Sequence, residues 1–124
     1  MELLPLLKDL AAIREAVWIV GYEGGVVSEN TPEGMREPVE ERGSITVQAA
    51  SWHFHLNASL VTEAHITEQP DMAHGQPNQL SRRVRLAGPG GKSPLRIYVQ
   101  SPEAFANLCA TWQAREGVRV ERKG

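Results

Sequence analysis

The spacing of apolar residues changes period twice along this chain, and that change limits the possible folds more than any other feature. Leu3, Leu6, Leu7, Leu10 and Ile13 recur at helical spacing with Lys8, Asp9, Arg14 and Glu15 between them, which predicts an amphipathic helix over residues 2–15. The period then shortens. Residues 16–22 (AVWIVGY), 44–50 (SITVQAA), 52–56 (WHFHL), 61–67 (VTEAHIT), 81–87 (SRRVRLA) and 95–99 (LRIYV) are short, β-branched or alternating, and each predicts a strand. Glu23-Gly24-Gly25 before Val26-Val27 reads as a hairpin, and Gly88-Pro89-Gly90-Gly91 as a tight turn. Residues 30–43 and 69–78 carry the prolines, glycines and charge expected of loops.

Helical spacing returns at Ser101-Pro102-Glu103, with a serine suited to cap the helix and proline at its first position. Phe105, Leu108, Cys109 and Trp112 share one face of this helix, and Gly117 marks its end. The order is one helix, about seven strands in hairpins, then a second helix. That order predicts an α+β fold with an antiparallel sheet. At 124 residues one domain over 1–124 with one core is expected.

Composition narrows the function classes. With 41% hydrophobic and 23% charged residues the chain has the balance of an ordinary globular protein. No apolar run approaches the ~20 residues that cross a bilayer, and MELLPLLKDLAAIREA lacks the parts of a secretory signal. A single cysteine excludes an internal disulfide, so cytoplasmic residence is expected. The net charge of −2 provides no global field toward nucleic acid or a membrane surface, so neither is an expected partner. Arg82-Arg83-Val84-Arg85 is the one basic cluster, and it reads as charge guarding a strand edge.

Ser51 to Ala58 (SWHFHLNA) carries the chemistry most worth weighing. Strand alternation sends Trp52, Phe54 and Leu56 to the core and puts His53 and His55 on the opposite face, close enough to share a ligand. The ordinary reading is a polar strand face. A metal-dependent enzyme of the cupin type uses such a His-x-His with a carboxylate a few residues on and a further histidine near a later turn. Here the next carboxylate is Glu63, and the turn AGPGGKSP has no histidine. His65 and His74 would have to reach the pair through the tertiary fold. No nucleophile elbow, phosphate loop or His-Glu-x-x-His is present. Cys109, on the apolar face of the last helix, reads as core. Tyr22 and Tyr98 read as core-edge residues, although a tyrosinate also ligates ferric haem.

The run WHFHLNASLVTEAHITEQPDM resembles the central segment of the cytoplasmic haem-trafficking proteins of bacteria, of the ChuX, HutX and HemS type. His55-Leu56 falls on that family's His-Leu, Glu68 on its Glu and Met72 on its Met. SRRVRLAGPGGKSPLRIYVQSPEAF follows as its strand, turn, strand and helix, and AVWIVGYEGGVVSENTPEG resembles its upstream hairpin. Phe54 stands where the motif has glycine, and Gln100-Ser101-Pro102 where it has Gly-Arg-Asp. The resemblance implies a sheet-rich homodimer that holds haem or a related tetrapyrrole and carries it without catalysis. It singles out His55 as the axial ligand, with His53 as its neighbour and Met72 beside the ligand. Arg82, Arg83, Arg85 and Arg96 are the candidate partners of the propionates. A cupin-like metalloenzyme, or a scaffold that has kept the fold and lost the ligand, are the alternatives.

Overall fold

In the computed structural model, which describes residues 1–71 and 76–123, two helices and nine strands form two sheets around one core. Helix α1 spans Leu3–Ala11, shorter than the apolar spacing predicts, and buries Leu3, Leu6, Leu7 and Leu10. Helix α2 spans Pro102–Trp112 and buries Phe105, Leu108, Cys109 and Trp112, the face read from the sequence. Ser101 caps it as expected, its hydroxyl accepting from the Ala104 N–H at 3.1 Å. The indole N–H of Trp112 donates to Asp9 Oδ2 at 2.7 Å and ties the two helices together.

The strands are β1 (Ala16–Val20), β2 (Ser28–Asn30), β3 (Val39–Glu41), β4 (Ser44–Gln48), β5 (His53–Asn57), β6 (Glu63–Asp71), β7 (Gln76–Ala87), β8 (Leu95–Val99) and β9 (Val118–Glu121). One sheet has six strands in the order β2-β1-β8-β7-β6-β9, and the other has three in the order β3-β4-β5. Every pair is antiparallel except β6 and β9. The fold is therefore α+β as expected, but with nine strands, two sheets and one parallel pair in place of a single antiparallel sheet of about seven.

Five features differ from these expectations. Val26-Val27 does not return as a strand, because residues 21–27 form a wider turn and the pairing with β1 begins at Ser28. Gly21, at φ +123°, lies so close to the Val26 carbonyl that a side chain there would collide with it. Within 30–43, expected as loop, Val39–Glu41 pairs with β4. β6 and β7 extend past their apolar segments into 69–78, which was expected as loop. The chain's last strand, β9, was not foreseen. Arg82-Arg83-Val84-Arg85 lies on β7, which is hydrogen-bonded on both sides, so it does not guard an edge.

The register aligns the core across the large sheet. Trp18, Ile97, Val84, Ile66 and Val120 form one row, and Val20, Leu95, Leu86, Ala64 and Val118 the next. The inner face of the small sheet supplies Ile45, Val47 and Leu56, and both helices add their apolar stripes. Trp52 and Phe54 stack on each other at 6.0 Å and meet Trp18 at 6.0 and 6.3 Å, which joins the two sheets through aromatic contacts.

Candidate functional site

The rows between those core rows point the other way. On the outer face of the six-stranded sheet Ile19, Arg96, Arg85, His65 and Arg119 lie side by side on five successive strands. Beside them run Val17, Tyr98, Arg83, Thr67 and Glu121. Like charges facing each other across strands are unfavourable, so a row of cations needs partners. Glu23, carried by the turn after β1, supplies one: its carboxylate accepts from Arg85 Nε at 2.8 Å and stands 3.8 Å from Arg96 Nη1. The hydrogen bond from Arg85 holds the Glu23 carboxyl below the usual carboxylate range, against a smaller opposing effect of burial.

The arginines differ in how far they are committed. Arg96 is buried and donates to the Gly21 and Ser93 carbonyls, and Arg85 also donates to the Gly91 carbonyl. These two brace the turns at the open end of the sheet. The buried Nε of Arg83 has no hydrogen-bond partner among the described residues. His65 Nε2 is likewise buried without a hydrogen bond and stands 3.5 Å from Glu63 Oε1. Tyr98, half-buried, lies directly across from Arg83. His65 and Tyr98 join this face only through strand register, so no local motif in the sequence singles them out.

The histidine pair lies on the other sheet. His53 and His55 are exposed on the outer face of β5, with ring centroids 5.5 Å apart, as alternation requires. Thr46 Oγ1, opposite on β4, is 2.9 Å from His55 Nδ1, which leaves Nε2 as the ring nitrogen not engaged by Thr46. Around them on this face stand Gln48, Thr46 and the exposed Val39, with no arginine across the register. His55 and the arginine set thus leave the common core from different sheets, and one chain does not bring them together. Met72 and His74 lie outside the described residues. Among the described residues no three of His, Cys, Asp and Glu gather as a metal site. A concavity of about 700 Å³ between the end of α1 and residues 31–35 is walled by Ile13, Arg14 and Met35, and no histidine lines it.

Cys109 is buried as its helical position predicts, and burial pushes its thiol up from the ordinary value. The native protein at pH 7.5 should therefore resist iodoacetamide for hours and take up one equivalent once unfolded in guanidinium. Rapid labelling of the native chain, followed by intact mass, would contradict this burial.

No protein-family model matches the chain, and no curated protein matches it in sequence. Solved structures do match. One, described as the haem-binding protein ChuX, has a TM-score of 0.67 at 14% identity over 86% of this chain and 70% of its own. A second structure of ChuX has a TM-score of 0.70 at 12% identity over 90% of this chain and 72% of its own. The fold is ChuX-like. At such identity the likeness extends to the architecture and not to individual site residues. No helix among the described residues is long and apolar enough to cross a membrane.

Proposed function

We propose that this chain is a non-catalytic carrier of haem or a closely related tetrapyrrole, working in the cytoplasm as a homodimer. The observation that carries the reading is the ChuX-like fold, which covers 86–90% of the chain at TM-scores of 0.67–0.70. The outer face of the six-stranded sheet has the chemistry such a ligand needs. A planar macrocycle with two carboxylates calls for a broad flat surface, guanidinium groups for the propionates and a donor for iron. Arg83 supplies a guanidinium whose buried Nε has no hydrogen-bond partner among the described residues, with Arg85 beside it on the same strand. Val17 and Ile19 give the face an apolar flank. Tyr98 offers a phenolic oxygen next to Arg83, a donor type that ferric haem accepts. What the bound group would supply is its iron and macrocycle as cargo. The chain's part is to hold it.

His55, the sequence-based choice for axial ligand, becomes the comparator in the test. Hemin titrated into the purified protein at micromolar concentration should give a shifted Soret band. Tyr98→Phe should abolish the ligand-specific shift, Arg83→Ala should weaken binding about tenfold or more, and His55→Ala should leave both unchanged. Loss of the band in His55→Ala but not in Tyr98→Phe would move the ligand to the small sheet. A free-hemin spectrum in the unaltered protein would end the haem reading itself.

A further inference from the structure

Four strands end a sheet among the described residues, and three of them carry formal charge: Glu29 on β2, Glu40 and Glu41 on β3, and Arg119 and Glu121 on β9. Charge on an edge strand discourages pairing with another chain. The fourth, β5, reads His-Phe-His-Leu-Asn and carries none when its imidazoles are neutral. Among the described residues its pairing is with β4 alone, so the opposite side of its backbone meets no described strand of the same chain. Phe54 and Trp52, stacked on each other behind this edge, are only partly buried.

We propose that β5 pairs with β5 of a second copy, antiparallel and centred on Phe54, and that the paired strands share a site for a divalent metal ion of the zinc class. The geometry follows from strand parity. A two-fold axis at Phe54 sets Phe54 against its own copy, His53 against His55 and Leu56 against position 52 of the other chain. Every residue then meets one of the same face, so Phe54 and Leu56 stay on the core side and all four imidazoles gather on the outer side. A slip of one residue would set histidine against the core face. Directly opposed residues on paired strands bring their Cβ atoms to about 5 Å. The rings of His53 and His55 are already 5.5 Å apart within one chain.

One chain falls short of such a site. Zinc in protein sites takes about four ligands, nickel and copper also accept imidazole, and the pair supplies two. The second copy supplies the other two. Thr46 keeps the Nδ1 of His55 occupied, so Nε2 is the nitrogen left to coordinate. This reading does not depend on haem binding, and its test contains no hemin.

The full chain, stripped with a chelator, is titrated with zinc chloride and followed by light scattering coupled to size exclusion and by elemental analysis. The expected result is one zinc per two chains with a doubling of the 13.7 kDa mass. His53→Ala/His55→Ala, exposed positions whose loss leaves the fold intact by circular dichroism, should take up no zinc. An equal mixture of His53→Cys and His55→Cys chains should oxidise to a mixed covalent dimer, with buried Cys109 silent. Glu40→Cys chains, on the guarded edge, should not cross-link. Zinc bound by a chain that stays monomeric, zinc retained by the double alanine variant, or no mixed cross-link would each overturn the proposal.

Discussion

Trp18→Ala should lower the unfolding free energy by about 4 kcal/mol and the melting temperature by roughly 15 °C, close to the largest single-residue loss this fold can show. Trp18 is fully buried at the β1 end of the first core row, and its ring meets both Trp52 and Phe54 of the small sheet. Truncation removes the transfer energy of the indole and leaves a cavity that two sheets and the helices cannot all close. It also removes two aromatic contacts, each contributing about 0.5–1.5 kcal/mol. The indole Nε1 has no hydrogen-bond partner among the described residues, and a buried N–H left so costs about 1–3 kcal/mol. Trp18→Phe gives up some area but removes that orphan donor, so it should cost under about 1.5 kcal/mol. Urea denaturation of the three chains, with the m-value unchanged, separates these terms. A loss below about 1.5 kcal/mol for the alanine variant would mean that the small sheet does not depend on this contact.

Trp18 also illustrates what could be read from the sequence. Its place inside β1 follows from local alternation, and so do the buried faces of β4 and β8 and the capped start of α2. These signals rest on neighbours a few residues apart. The partition into two sheets does not, because Trp18 meets Trp52 and Phe54 from over thirty residues away. β9 escaped for a related reason: Val118–Glu121 is four residues long, and it becomes a strand only because β6 offers a parallel edge beside it. The candidate site divides in the same way. Alternation placed His53 and His55 outward, where they are, and the residue types of Arg83, Arg85 and Arg96 suggested anion binding. That those arginines share a face with Tyr98 and His65 is a matter of register across three strands, and His55 lies on the other sheet. No local spacing encodes it.

Arg82 points the opposite way from Arg83 and Arg85, and the second large effect depends on it. Glu68 is a buried carboxylate, its side chain 2% exposed, and it accepts from Arg82 Nε at 2.8 Å while Arg122 Nε stands at 3.5 Å. Arg122 also sits over the Phe105 ring at 5.8 Å, so the residue that follows β9 is held by both β6 and α2. Glu68→Leu should cost about 3 kcal/mol, because a leucine fills much of the same space yet leaves the Arg82 guanidinium desolvated with its charge uncompensated. Little of this comes from Arg122, whose side chain is 42% exposed and can return to water. Glu68→Leu/Arg82→Leu should recover most of the loss, since replacing both members of a buried pair by apolar residues removes the stranded charge. The double-mutant cycle in urea measures that coupling directly. Hydrogen exchange adds a second readout: in Glu68→Leu the amides of residues 118–121 should exchange faster than those of β8, because β9 loses one of the two contacts that hold its end. Equal protection in both strands, together with an additive cycle, would show that Glu68 only fills space and does not clamp the C-terminal strand.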